Sequence, residues 1–190
     1  TGKPKGVCIP HRALVSFLTT MQVTPGFEAS DRLLAVTSLS FDIAGLELML
    51  PLTVGARVEI ASKEVAMDGE ELSRKLEERR VTVMQATPAT WRILREAGWE
   101  GTAGLKILCG GEALSGELAR DLEKRGEELW NLYGPTETTI WSAAERVRGE
   151  EGEVTIGRPI GNTQMRIVDA DGRIAGIGIW GEMQIGGDGV

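Results

Sequence analysis

The sequence contains one histidine, one tyrosine and two cysteines, and each scarcity excludes a kind of chemistry. A single histidine, His11, cannot build a two-histidine metal site. It also leaves a Ser-His-Asp triad with one candidate, at the start of a surface helix, where a structural role is the better account. Cys8 and Cys109 are far apart, and Cys109 sits in an apolar run, so a disulfide framework is not expected and a reduced compartment fits. No apolar run approaches bilayer-spanning length, and no charged-then-apolar leader opens the chain. Neither membrane insertion nor export is therefore expected, and the setting is read as cytoplasmic. Positive charge is in deficit: 21 Lys and Arg against 28 Asp and Glu give a net charge of -7. Without clustered positive charge a nucleic-acid partner is not expected. Low-complexity tracts and internal repeats are also missing.

What is present suits a globular domain. With 190 residues and 42% hydrophobic content, the chain can bury one sizeable core, or one core with a small satellite. It starts at Thr1 inside a Gly/Lys/Pro loop and stops at Val190 just after "IGGDGV", so a piece of a longer protein is expected. "HRALVSFLTTM" carries apolar residues at helical spacing. Then strands and helices alternate: "RLLAVTS" (strand), "DIAGLELMLPLTVG" (mostly buried helix), "ARVEIA" (strand), and "GEELSRKLEERR", a helix with Leu72 and Leu76 inward. Three strand-turn-helix units follow, "VTVMQA" to "PATWRILREAG", "LKILCGG" to "SGELARDLEKRG", and "ELWNLYG" to "PTETTIW". This alternation predicts an α/β fold with a mostly parallel sheet flanked by helices over residues 1–148. From 149 to 190 the texture becomes Gly-rich short strands, with Asp171-Gly172 as a hairpin signal, which predicts the start of a small β-rich subdomain.

In an open parallel sheet, ligands bind outside the carboxyl ends of the strands. That edge is expected to collect Asp42, Gln85, the segment from Cys109 to Glu112, and the segment from Leu132 to Glu137. Gly110-Gly111 permits close backbone approach, and Gly134-Pro135 fixes a bend.

Several residues there have both a chemical and a structural reading. "TGKPKG" offers two lysines and backbone amides suited to a polyphosphate, yet it lacks Walker A spacing and equally describes a solvated basic turn. Tyr133, at a strand end, suits stacking on a purine or simple core packing. Thr136 and Glu137 begin the next segment, where a hydroxyl meets a phosphate and a carboxylate meets Mg²⁺; Glu137 also fits as an acid at a helix N-terminus. Asp42 follows a strand amid "SLSFDIAGLELML" with no cation nearby in sequence. It suits a partly buried partner for a substrate ammonium, or a helix N-cap, and the two roles are compatible.

Taken together, "TGKPKGV", "FDIAGLELMLPLTVGA", "LKILCGGEAL", "NLYGPTETTIWSA", "IGRPIGNTQMRIVD" and "GEMQIGGDG" resemble, in order and spacing, the core motifs of the adenylate-forming (AMP-binding) superfamily. The branch they resemble is the adenylation domain of nonribosomal peptide synthetases. The resemblance spans nearly the whole chain, and "NLYGPTE" is its most diagnostic part.

The resemblance implies ATP-dependent activation of an amino acid as an aminoacyl adenylate, for loading onto a carrier-protein phosphopantetheine thiol. Catalysis would come from alignment and charge neutralisation rather than a protein nucleophile. It assigns Gly2, Lys3, Lys5 and Gly6 to a phosphate loop, Asn131 and Tyr133 to adenine with Gly111 and Glu112 nearby, Thr136 to the α-phosphate and Glu137 to Mg²⁺. Asp42 matches the aspartate that binds the substrate α-ammonium. Ile43, Leu46, Gln85, Leu108, Gly110, Leu132, Ile140 and Trp141 match the pocket-lining positions. Their bulk resembles glycine-activating members, although alanine stays open because one carbon is worth only about 1–3 kcal/mol. Partners implied are the peptidyl carrier and condensation domains of a parent synthetase. The front half of the phosphate loop is expected before Thr1, and the ribose-binding aspartate and C-terminal lid domain with its lysine after Val190, so this stretch alone is expected to be inactive. The alternatives are an acyl- or aryl-CoA ligase of the same superfamily, a noncatalytic nucleotide-binding module, and, more distantly, a dinucleotide-binding domain, which the missing G-x-G-x-x-G disfavours.

Overall fold

The computed structural model describes residues 6–149 and 154–190. Local signals set most element ends. Helix α1 spans His11–Met21 and α2 spans Ala44–Val54. Helix α2 stops at Gly55, whose φ of 76° is the left-handed conformation that glycine adopts without a Cβ penalty. Ser62 caps the short α3, Lys63–Ala66, by accepting from the Val65 amide. Asp68 caps α4, Gly69–Glu78, by accepting from the Glu70 and Glu71 amides. Pro88 opens α5, Pro88–Glu96, and Ser115 caps α6, Gly116–Glu123.

The strands are β1 (Arg32–Ala35), β2 (Arg57–Ile60), β3 (Val83–Ala86), β4 (Lys106–Gly110), β5 (Glu128–Tyr133), β6 (Ala143–Val147), β7 (Arg158–Pro159), β8 (Thr163–Val168) and β9 (Glu182–Gly187). Seven form one sheet in the order β2-β1-β3-β4-β5-β6-β7, and β8 and β9 form a second. Strands β1 to β5 run parallel, and β6 and β7 add antiparallel edges. The mostly parallel sheet expected from the sequence is thus present, with a small antiparallel sheet after it.

Period-two alternation divides the core between the two faces of the sheet. Leu34, Met84, Ile107 and Leu129 pack with Leu72, Leu76, Trp91, Leu94, Leu118 and Leu122 from α4, α5 and α6. Leu33, Ala35, Val83, Leu108 and Leu132 pack on the other side with Phe17, Leu18 and Met21 of α1 and Leu46 and Leu50 of α2.

Two expectations are corrected. "PTETTIW" makes only a 3-10 turn at Thr136–Thr138, after which the chain reverses into β6. The positive φ of Thr139 and Ile140 ends the turn, and Gly134 lets the returning chain pass closely, since a Cβ there would collide with the Ile140 carbonyl and stand 2.7 Å from the Trp141 Cα. The Asp171-Gly172 turn does form, with Asp169 Oδ1 accepting from the Asp171 and Arg173 amides. It yields only an isolated bridge between Val168 and Ile174, because the true partner of β8 is β9.

Candidate functional site

Four strand-to-helix or strand-to-turn junctions converge at the carboxyl edge of the parallel sheet. Val36, Thr37 and Ser38 after β1, Thr87 after β3, Gly111 and Glu112 after β4, and Gly134, Pro135 and Thr136 after β5 line a cleft of about 480 Å³ with Phe41, Asp42, Ile43 and Trp141. A second cleft of about 410 Å³ lies beside it, lined by Asn131, Leu132, Tyr133, Leu114 and Ile156. Gly111, Glu112, Gly134 and Trp141 line both, so two compartments meet at the glycine turns. A larger opening of about 600 Å³ lies at the amino ends of the strands, around Gly26, Asp31, Thr82 and Lys106. It is remote from every converging turn, and the Lys106 Nζ there already donates to the Gly26 carbonyl at 2.6 Å.

Trp141 is delivered by strained backbone. Thr139 and Ile140 have φ of 62° and 67°, a left-handed conformation that costs a non-glycine residue on the order of 1–3 kcal/mol. Neighbouring bonds hold it: the Ser142 amide donates to the Tyr133 carbonyl at 2.7 Å, the Thr139 hydroxyl to the Gly189 carbonyl at 2.7 Å, and the Thr138 and Ser142 hydroxyls lie 2.5 Å apart. The Trp141 ring then lies against Gly110, where a Cβ would stand 2.6 Å from ring carbon Cη2.

Beneath the cleft is a buried polar cluster. Glu47 on α2 has no exposed surface. Its Oε2 accepts from the Val36 and Thr37 amides at 2.8 and 3.0 Å, and its Oε1 from the Thr37 hydroxyl at 2.5 Å and Gln85 Nε2 at 2.8 Å. Desolvation raises the Glu47 carboxyl above the ordinary 4.5, and these four donors offset part of that rise. Gln85 also donates to the Ile43 carbonyl at 2.9 Å and accepts from Trp141 Nε1 at 2.8 Å.

Of the residues singled out in the sequence, Asp42, Ile43, Trp141, Thr136, Gly111 and Glu112 line the first cleft, and Asn131, Leu132 and Tyr133 line the second. Leu46, Gln85, Leu108, Gly110 and Ile140 are buried and absent from both linings; Gln85 and Gly110 touch Trp141 directly. Asp42 is exposed rather than partly buried, and it does not cap α2, which begins after Ile43 with no side-chain cap. The chain makes one further turn between the end of β1 and the helix, and this leaves the carboxylate at the cleft lip. Asn131 is buried with its amide nitrogen donating to the Thr155 carbonyl at 2.7 Å. Glu137 is exposed within the 3-10 turn. Gly6 is exposed, while Gly2, Lys3 and Lys5 lie outside the described residues.

Sequence reasoning missed Glu47 and Thr37. The available signal was an isolated acid inside "LELMLPL", a helical stretch apolar on every side, where a charge survives only with dedicated partners.

Carboxylates near the clefts come from Asp42 and Glu112, which line them, and from Glu137, which lines neither; a carboxylate is the hard oxygen donor that suits Mg²⁺. Among the described residues no group of three potential ligands occurs, so an all-protein cage is not available there. Also among them, no helix is long and apolar enough to cross a membrane.

Comparison with known proteins bears on this geometry. The profile of the family described as AMP-binding enzyme matches residues 1–190. A dimodular nonribosomal peptide synthase of Bacillus subtilis (strain 168) is 44% identical over 100% of this chain and 8% of its own length. The PKS-NRPS hybrid synthetase acdB of Aspergillus candidus is 46% identical over the same shares. The chain therefore spans less than a tenth of either curated relative. Among solved structures, a four-domain nonribosomal peptide synthetase bound to AMP and glycine superposes with a TM-score of 0.95 at 44% identity, covering 100% of this chain and 14% of that one. The N-terminal subdomain of Klebsiella oxytoca NpsA, in complex with 3-hydroxybenzoyl-AMSN, gives 0.88 at 25% identity, covering 100% of this chain and 48% of that one.

Proposed function

The chain belongs to the AMP-binding enzyme family, and from that premise we propose that the whole protein activates glycine with ATP as glycyl-AMP, for transfer to the phosphopantetheine thiol of a carrier domain in nonribosomal peptide synthesis. One observation carries this reading: an exposed carboxylate, Asp42, shares a cleft with a tryptophan wall locked from behind. In this reading a substrate ammonium pairs with Asp42, and the bulk of Trp141 limits the room left for a side chain. The 44% identical synthetase solved with AMP and glycine supports the same reading.

The adjoining cleft then takes the nucleoside, with Tyr133 against the base, Asn131 shaping the floor, and Gly111 and Glu112 at the boundary. Thr136 reaches the α-phosphate. The substrate carboxylate oxygen forms a bond to the α-phosphorus as the bond from that phosphorus to the bridging oxygen breaks, and pyrophosphate leaves with the electron pair. No proton need move in this step, so the task of the protein is alignment and neutralisation of charge. Glu137 would hold the Mg²⁺ that neutralises the phosphates. Gly2, Lys3, Lys5 and Gly6 would contribute the phosphate loop. Carrier and condensation domains as partners, and a cytoplasmic setting, belong to this reading, as do the division of the chain near residue 148 and a separate C-terminal lid domain.

Amino-acid-dependent ATP–pyrophosphate exchange on the whole protein tests it, scanning the proteinogenic amino acids, benzoate and a fatty acid. Exchange dominated by glycine is expected. A preference for a large amino acid would overturn the filled-pocket reading, and exchange only with acids lacking an ammonium would identify an acyl- or aryl-activating ligase instead.

A further inference from the structure

We propose that Glu47, which does not line the cleft, is a positioning residue that sets the depth of the amino-acid pocket through a one-directional hydrogen-bond relay from Glu47 through Gln85 to Trp141. The relay deepens the amino-acid reading above and rests on it.

Counting donors and acceptors gives the relay its direction. A carboxylate offers about four acceptor positions and no donor. Glu47 has four donors pointed at it, from Val36 N, Thr37 N, Thr37 Oγ1 and Gln85 Nε2. Gln85 must therefore turn its nitrogen toward Glu47, where its hydrogens serve the carboxylate and the Ile43 carbonyl. Its oxygen is left facing Trp141, whose indole can only donate, and the bond forms at 2.8 Å. Gln85 and Trp141 are both buried, so swinging the ring away would strand two polar atoms without water. Behind the ring, Gly110 leaves no slack. Glu47 thus ties three parts of the site to one helix: the lip at Thr37, the turn beside Asp42 through Ile43, and the wall at Trp141.

Glu47→Gln breaks this polarity with almost no change in shape. If the new amide oxygen keeps the Val36 and Thr37 amides, its nitrogen confronts Gln85 Nε2. Flipping Gln85 then sets oxygen against the Ile43 carbonyl and nitrogen against Trp141 Nε1. No arrangement satisfies every group, and Trp141 loses its fixed position.

The test is exchange kinetics on the whole protein, wild type and Glu47→Gln, with glycine and alanine. The alanine-to-glycine ratio of kcat/KM is expected to rise about tenfold, within the range one methyl group can command, with the change carried by the amino-acid KM rather than the ATP KM. Gln85→Met, which breaks the relay at its centre, should give the same shift, and it serves with Thr37→Val if Glu47→Gln does not fold. Combining Glu47→Gln with Trp141→Phe should add nothing beyond Trp141→Phe alone. A folded Glu47→Gln or Gln85→Met protein with the wild-type ratio, or effects that add to that of Trp141→Phe, would overturn the relay. Failure of the underlying reading shows separately, in the wild type: if another amino acid is preferred, the glycine assignment falls, and the relay stands or falls on whether the three variants move that preference together. If no amino acid supports exchange, both fall.

Discussion

Asp42 stands exposed and caps nothing in the fold, so removing its carboxylate should spare stability and affect only substrate binding. Asp42→Ala is expected to keep the wild-type melting temperature while kcat/KM for glycine falls on the order of 100-fold, the loss of a charge-assisted pair. Cys109 behaves oppositely. Burial, and secondarily the Glu112 charge, push its thiol up to about 12, whereas Cys8 is exposed. Peptide mapping after iodoacetamide treatment should therefore find Cys8 alkylated in the folded state and Cys109 only after denaturation. Glu47 adds a pH dependence. Its folded carboxyl is raised above the ordinary 4.5, so between the unfolded and folded values the native state binds more protons than the unfolded chain. The stability contributed is full below the unfolded value and lost as pH rises through the folded one. The melting temperature of the wild type minus that of Glu47→Gln should accordingly be greater at about pH 4 than at about pH 7. Tyr133 was legible in the sequence because it closes a strand, which alternation reveals, whereas for Asp42 only its place at the cleft was legible: the extra turn between β1 and α2 leaves it exposed and capping no helix. The partners of Glu47 were not, since Thr37 and Gln85 meet it only when β1, β3 and α2 are packed.

At the scale of elements, the helices and parallel strands were legible from apolar spacing and strand-helix alternation, and the structure adds the local signals that start them, Asp68, Ser115 and Pro88. The reversal after β5 was not. "PTETTIW" carries helix-compatible spacing, and what ends it is the left-handed pair Thr139 and Ile140, with the chain returning close past Gly134. Strand order and direction are likewise chosen by packing rather than by the alternation itself. Gly110 is the position where two elements meet most tightly, because a Cβ would lie 2.6 Å from the Trp141 ring and 2.7 Å from the Leu132 carbonyl. Gly110→Ala should therefore cost about 1–3 kcal/mol by overpacking. That corresponds to a fall of roughly 2–4 °C in melting temperature per kcal/mol for a chain of this size. If the melting temperature is unchanged, Trp141 can yield at little cost and is not the fixed wall described above.

Across the whole molecule, the two sheets differ in what holds them. Strands β3, β4 and β5 lie in the interior of the large sheet with packed side chains on both faces. In the small sheet only Val168 is buried, and the loop leading to β9 leaves Ile174, Ile177, Ile179 and Trp180 exposed. Among the described residues, the segments flanking this small sheet meet the rest through polar contacts that include Thr139 to the Gly189 carbonyl at 2.7 Å, Asn162 to the Ser16 hydroxyl at 3.2 Å and Thr20 to the Gly161 carbonyl at 3.5 Å. Opening β8 and β9 therefore gives up little buried apolar area, while opening β3 to β5 requires both halves of the core to separate. Local opening free energies follow that difference. Hydrogen exchange followed by mass spectrometry should show the amides of β3, β4 and β5 exchanging last and those of β8 and β9 well before them, with Thr139→Val advancing exchange in β9 and leaving β3 unaltered. Simultaneous exchange of both sheets would mean that they unfold as one unit. The Thr139 bond would then be an incidental contact rather than the tie between the small sheet and the strained turn that presents Trp141.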